Sequence, residues 1–344
     1  MCAVLPFAAE LARRKRRASS YLLCVHRENP DMKGIIRRST LYGRLLTALT
    51  RRPAKSVVRS ASRESELGEA RRQLLADPSL SPDDRSLLER VSLACHPADT
   101  MFRPGTIYLR VGLATVNHID TALLSNGEGR AIHNVLDMGC GFGRILRFLR
   151  ARFPNATVAA CDIDSEAVRF CVQAFSAVGI QSTESFHDLR LPGVYDLIWS
   201  GSLLTHLDPA SATGLLRFFY QHLSPGGLCI FTTHGARSAE WIQSGYYAYS
   251  LSPEAQTLVL SGYGATGYGF TEYERPGGQG TSAISVDRAG RPRMPHYGIS
   301  VMSPEAVARL AHPEDEWQQV LHVPHGWGWK DHQDVYVWAR PRNG

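Results

Sequence analysis

Asn134-Val135-Leu136-Asp137-Met138-Gly139-Cys140-Gly141-Phe142-Gly143-Arg144 decides the reading of this chain. A short apolar strand ends in an acid, passes through three alternate glycines and opens a helix. Glycine belongs there because the backbone must turn tightly and approach a ligand with no Cβ in the way. Nineteen residues after Gly143, Asp162 closes a second apolar run, Ala156 to Cys161. A carboxylate at that place accepts both ribose hydroxyls of an adenosine-bearing ligand. A glycine turn alone is a weak signal; strand, glycines, helix, strand and acid in that order are a strong one.

Charge distinguishes between the adenosine ligands. Dinucleotide turns read GxGxxG, and Arg144 stands where the last glycine belongs. Asp137, two residues before the first glycine, would repel a pyrophosphate. S-adenosylmethionine has no phosphate and carries an ammonium and a sulfonium, which a carboxylate at a strand end suits.

Outward from this stretch the chain alternates. Strands are expected at 133–136, 156–161, 181–186, 196–199 and 228–232, with helices at 143–152, 165–178 and 210–223. Alternation of this kind means a parallel sheet with helices on both faces. A helix from Ser303-Pro304-Glu305 and two strands, 317–323 and 334–339, complete the pattern. Before it, leucines at 67, 74, 75, 87 and 88 and the start signal Ser81-Pro82-Asp83-Asp84 predict a helical region over 63–125. Residues 241–297 break the rhythm and hold seven of the thirteen tyrosines. The expected divisions are a basic arm (1–62), a helical region (63–125), a core (126–240), a Tyr/Gly-rich insert (241–299) and a closing segment (300–344).

Composition bounds the rest. With 44% hydrophobic and 20% charged residues, the 344-residue chain reads as a soluble protein with a sizeable core. No apolar run approaches the roughly 18–20 residues of a spanning helix. The basic cluster Arg13–Arg17 follows the apolar start instead of preceding it, the wrong order for a secretory signal. Seven scattered cysteines without a CxxC pair speak against disulfides and structural zinc. A cytoplasmic location is expected. The net charge of +6 is uneven: residues 1–72 hold 17 Lys and Arg against 6 Asp and Glu, and the remainder 21 against 26. Such an arm suits nucleic acid or an anionic surface, or is a solvated extension.

The stretch Val135–Gly143 resembles motif I of class I S-adenosylmethionine-dependent methyltransferases. Ala160-Cys161-Asp162-Ile163-Asp164 is similar to their second motif, and Phe186-His187-Asp188-Leu189 to the segment facing the adenine amino group. Tyr195–Ser200 resembles the fourth-strand motif, and Leu223–Gly227 the turn before strand five. The similarity covers residues 130–235, and 300–340 more loosely. It implies a Rossmann-like, doubly wound, mostly parallel seven-stranded sheet whose last strand is antiparallel. By position it implies that Asp137, Gly139, Gly141 and Gly143 shape the methionine end of the pocket. Asp162 would hold the ribose, Ile163 would face the adenine, and Asp188 with Leu189 would flank its amino group; Ser200 ends the fourth strand beside them. Arg144 either pairs with the cofactor carboxylate or is an ordinary helix arginine.

Methyl transfer is an in-line displacement, and a hydroxyl acceptor also calls for a base or a metal. His206, after strand four, and His234, closing strand five, are the candidate bases, each equally readable as a pocket wall. The hairpin between the last two strands brings His325, Trp327, Trp329, His332 and Gln333 to the same edge. No Asp/Asn-Pro-Pro-Tyr/Phe follows strand four, no Pro-Cys lies near it, and the histidines lack zinc spacing. The expected acceptor is therefore a hydroxyl of a small molecule or glycan, with no metal. An RNA acceptor tethered by the basic arm, a non-catalytic S-adenosylmethionine-binding partner subunit and a nicotinamide oxidoreductase are the rivals. Separate calorimetric titrations with S-adenosylmethionine and with a nicotinamide dinucleotide should give binding heat with the first alone.

Overall fold

The computed structural model describes residues 55–102, 104–127, 131–183, 186, 188–273 and 297–342. The chain divides into two compact units, residues 1–58 and 59–344. Of the first, only the start of one helix is described, so the expected basic arm lies almost wholly outside the described residues.

Among the described residues three helices come first: α1 Lys55–Leu75, α2 Pro82–Arg90 and α3 Gly105–Ser125. Strands and helices then alternate through β1 Asn134–Met138, α4 Leu146–Arg152, β2 Thr157–Asp162, α5 Ser165–Phe175, β3 Val178–Gln181 and β4 Tyr195–Ser200. Next come α6 Pro209–His222, β5 Leu223–His234, α7 Ala236–Gln243, α8 Pro253–Thr266, β6 Tyr268–Glu272 and β7 Gly298–Met302. Helix α9 Pro304–Ala308 and strands β8 Gln318–Trp327 and β9 Gln333–Ala339 follow.

Seven strands form one sheet in the order β3-β2-β1-β4-β5-β9-β8. β1 runs parallel to β2 and β4, β4 parallel to β5, and β9 antiparallel to both its neighbours. This is the expected doubly wound Rossmann-like sheet with an antiparallel last strand. Central strands covered on both faces need continuous apolar runs; accordingly Val135, Leu136, Leu197, Ile198, Cys229 and Ile230 are fully buried. Strand order reverses between β1 and β4, and such sheets bind ligands beyond the C-terminal strand ends at that point.

Four helices begin with the same device. Ser81-Pro82, Asp208-Pro209, Ser252-Pro253 and Ser303-Pro304 each place a side-chain oxygen on a first-turn N–H, with proline where no N–H is needed.

Several boundaries move from their expected places. The third strand is Val178–Gln181, not 181–186, because Ser176 at φ 53° ends α5 early and the chain re-enters the sheet at once. Helix α4 starts at Leu146, three residues later than expected, because Gly143 is left-handed and belongs to the turn. The tyrosine-rich segment is more regular than its composition suggests. Its described residues hold the end of α7, all of α8 and β6, which pairs with β7 just beyond it, around a small core of Ile242, Tyr249, Leu251, Val259, Ile299 and Val301.

The helical N-terminal region packs on the sheet through a few exact fits. Trp327 donates its indole N–H to Thr115 Oγ1 (2.7 Å), and His118 Nε2 donates to the Gly326 carbonyl (2.7 Å). Arg147, 1% exposed, donates to the carbonyls of Gly143 and Ser92 and to the Tyr108 hydroxyl, which itself donates to Asp99. The helical region is thereby tied to the glycine turn itself. Helix α3 lies so close to α4 that a Cβ on Gly112 would fall 2.1 Å from the Phe148 ring. Gly112→Ala should therefore lower stability by about 1–3 kcal/mol, the scale of overpacking; thermal unfolding of the two proteins checks this.

Candidate active site

At the tip of β1, Gly139, Gly141 and Gly143 take φ values of 78°, 50° and 75°, the left-handed region that costs glycine nothing. The turn hangs from the end of β2. Cys161's carbonyl accepts the N–H groups of Gly139 (2.9 Å) and Cys140 (3.1 Å), and Asp162 Oδ2 accepts that of Gly141 (2.7 Å). Asp162 Oδ1 accepts from Asp164 N–H (2.8 Å). A side chain at Gly141 would meet nothing within 4 Å, so the turn faces open space. Ile163, beside it, is 39% exposed.

Asp137 is 2% exposed, and its Oδ2 has no hydrogen-bond partner among the described residues. Burial, and then the charge of Asp162, raise its pKa from the ordinary 3.8 to about 8; Arg144 and the Leu146 N–H oppose this only in part. Arg144 lies in the turn, half-buried, with its guanidinium 5.4 Å from the centre of the Trp327 ring. Ser200, fully buried at the end of β4, has an Oγ with no partner among the described residues. Leu189 is buried in the core and Asp188 is exposed, while His187 lies outside the described residues.

Next along the strand ends, two histidines are held by one strand. His206 closes the short 3-10 turn Leu204–His206 after β4, and its Nδ1 donates to the Gly298 carbonyl (2.8 Å). His234 ends β5, and its Nδ1 donates to the Ser300 carbonyl (3.1 Å). Carbonyls two residues apart on β7 point the same way. A carbonyl only accepts, so each Nδ1 carries the proton and each Nε2 the basic lone pair. The rings sit 6.5 Å apart. His234 is 3% exposed, and burial, then His332 and His206, drives its pKa well below the usual imidazole value. Beneath them, Ser202 N–H donates to Thr232 Oγ1 (2.8 Å), Thr232 donates to Gln333 Oε1 (2.6 Å), and Gln333 Nε2 donates to Ser202 Oγ (2.6 Å). This closed loop locks β4, β5 and β9 together at the site and holds Ser202 at φ 60°.

Residues 135–227 match the family described as Methyltransferase domain. That span runs from β1 into β5 and contains the glycine turn and Asp162. The chain carries a class I, S-adenosylmethionine-dependent methyltransferase domain. A malonyl-(acyl-carrier protein) O-methyltransferase of Bacillus cytotoxicus is 27% identical over 132 residues, 38% of this chain and 46% of that one. A ribosomal RNA small subunit methyltransferase C of Haemophilus influenzae is 31% identical over 132 residues, 36% and 39% of the two. The match thus spans less than half the length of these curated relatives. A solved S-adenosylmethionine-dependent methyltransferase from Clostridium acetobutylicum superposes on 68% of this chain and 92% of its own, at 13% identity and a TM-score of 0.43.

The methyltransferase domain brings most of the residues picked out in the sequence to one edge of the sheet. Asp137, the three glycines, Arg144, Asp162, Ile163 and Ser200 sit at the tips of β1, β2 and β4, and His206 and His234 beyond β4 and β5. Trp327, His332 and Gln333 join them from the last hairpin. His325 does not: at φ 55° it turns back, and its N–H donates to Asp334 Oδ1 (2.9 Å). Sequence reasoning passed over Ser202, Thr232 and Arg147, and His96, whose ring stacks on Phe142 of the glycine turn at 4.5 Å. Arg147 is one of three arginines on α4, with Arg150 and Arg152, and no local signal set it apart. Among the described residues, no group of three or more His, Cys, Asp or Glu is placed to hold a metal ion, and no helix is long and apolar enough to cross a membrane.

S-adenosylmethionine fits this set: an unpartnered buried carboxylate for its ammonium, open space at the turn, and an exposed apolar side chain for its base. At pH 7 Asp137 is largely protonated, and a bound cation favours its ionised form. Cofactor affinity should rise on the order of tenfold from pH 6.5 to 8 as that proton becomes cheaper to release. The same raised pKa costs stability as pH rises from 3.8 towards about 8, because the unfolded carboxyl ionises first. Asp137→Asn should therefore bind the cofactor weakly with a flat pH profile, yet melt higher than the parent at pH 8. Calorimetry and thermal melts across pH check both.

Proposed function

We propose that this chain moves the methyl group of S-adenosylmethionine to a hydroxyl of a small molecule, using His206 as the base. One observation carries the reading: two imidazoles with basic Nε2 atoms stand beyond β4 and β5, next to a glycine turn flanked by two carboxylates. The relatives' names include an O-methyltransferase, which supports oxygen as the acceptor atom.

When bound, the cofactor supplies a methyl carbon made electrophilic by its sulfonium. The chain's own residues do the rest. Asp162 and Ile163 hold the nucleoside, and Asp137 and Arg144 hold the amino-acid end, its ammonium and carboxylate respectively. Asp188, Leu189 and Ser200 complete the adenine side. His234, kept neutral by burial, accepts a hydrogen bond at Nε2 and orients the acceptor hydroxyl. His206, half-buried and fixed by Gly298, takes the hydroxyl proton at Nε2. Trp327 and the aromatic side chains around His234 exclude water.

An RNA acceptor is the second reading, favoured by the basic 1–72 segment and by the ribosomal RNA methyltransferase among the relatives. It requires salt-sensitive RNA binding that disappears when residues 1–62 are deleted.

Incubation with labelled S-adenosylmethionine and a cell extract, fractionated into small molecules, glycan, RNA and protein, tests the acceptor class; label is expected in the small-molecule fraction. With that acceptor, His206→Ala should slow turnover roughly a hundredfold, the scale of a lost general base, with cofactor affinity unchanged. Full activity in both His206→Ala and His234→Ala would show that neither histidine is the base.

A further inference from the structure

A continuous run of rings leads from the histidine pair to the surface. His234 lies 4.5 Å from Tyr249 and 5.5 Å from His332, ring centre to ring centre. Trp241 stacks on His332 at 5.5 Å with an interplanar angle of 14°, and Tyr246, Tyr247 and Trp329 surround Trp241 at 5.1–6.4 Å. His234 and Tyr249 are buried and Trp241 and His332 half-buried, whereas Tyr246, Tyr247 and Trp329 are 52%, 40% and 38% exposed. Aromatic groups left together in water at the mouth of a site mark a binding surface.

The rim carries one well-placed cation. Lys330 Nζ lies 5.1 Å from the centres of both the Trp329 and Tyr246 rings and hydrogen-bonds to the Tyr246 hydroxyl. The backbone is bent to put it there: Lys330 and Asp331 take φ values of 54° and 53°, which non-glycine residues adopt only when their surroundings hold them. Arg237 supplies that hold, donating to the carbonyls of Lys330 and Asp331 (3.2 and 3.0 Å). Its guanidinium is therefore engaged, and Lys330 is the cation that faces the rings.

We propose that this surface recognises the non-reacting end of the acceptor, and that the acceptor is a small aromatic acid. Its ring lies on Trp329 and Tyr246 and its carboxylate meets Lys330. A cationic ligand is disfavoured because the Lys330 ammonium would repel it. A sugar is disfavoured because the three exposed rings beside one ammonium match a flat ring with an anion more closely than a set of hydroxyls, although Asp331 and Arg237 stand nearby. The identification of this end as the acceptor side rests on the methyl-transfer reading above; the binding surface itself does not.

Binding of 4-hydroxybenzoate to the full chain, followed by tryptophan fluorescence and calorimetry without cofactor, tests the proposal. Phenol and methyl glucoside serve as the uncharged and sugar probes. Trp329→Ala should weaken 4-hydroxybenzoate and phenol alike by roughly tenfold, the scale of a lost ring–ring contact. Lys330→Gln should weaken the acid by about threefold, as for an exposed ion pair, and leave phenol unchanged. Both variants should bind S-adenosylmethionine as the parent does, which shows that they fold. No binding of the acid, binding indifferent to both substitutions, or tighter binding of methyl glucoside would overturn the proposal. Acid binding with the expected variant pattern, but label from S-adenosylmethionine appearing only in RNA, would overturn the acceptor reading and leave the surface standing.

Discussion

The carboxylate of Asp162 is the hinge of this structure. Its Oδ2 takes the Gly141 N–H at 2.7 Å and its Oδ1 the Asp164 N–H at 2.8 Å. One charged group therefore fastens the glycine turn after β1 to the end of β2 and shapes the start of α5. Three left-handed glycines make the turn possible, and charge-assisted hydrogen bonds to the carboxylate and bonds to the Cys161 carbonyl hold it still. A carboxylate oxygen can accept more than one hydrogen bond. A fixed carboxylate beside a turn with open space at Gly141 is what a ribose requires.

From that ledge the site changes character along the strand ends. At β1 it is electrostatic, with Asp137 against Arg144. At β4 and β5 it is a pair of imidazoles whose tautomers are set by two carbonyls of β7. At the last hairpin it becomes aromatic and open to solvent. Each zone is carried by different elements, and the Ser202–Thr232–Gln333 loop keeps the middle zone in register with its neighbours. The helical N-terminal region contributes from behind, where buried Arg147 holds the Gly143 carbonyl and His96 covers Phe142.

The sheet and the cofactor end were readable from local pattern, because both depend on neighbours in sequence. Buried parallel strands need unbroken apolar runs, and the turn needs glycine at three fixed places. β3 was misplaced because it is an edge strand: Val178 is 43% exposed, so no clean alternation marks it. The acceptor end was legible only as residue types. The bonds from His206 to Gly298 and from His234 to Ser300 close over 92 and 66 residues, and no spacing rule reaches that far. The tyrosines of 241–297 suggested irregular structure, yet Ser252-Pro253 was a helix start of the same kind as Ser81-Pro82. The contact of Arg144 with the Trp327 ring joins residues far apart in the sequence, which no local pattern marks.

A crystal structure with S-adenosylhomocysteine tests the central claim most directly. The ribose hydroxyls should lie within hydrogen-bond distance of Asp162, with the adenine against Ile163 and the amino group beside Asp137. A nucleoside seated on another edge of the sheet, away from Asp162, would contradict the account.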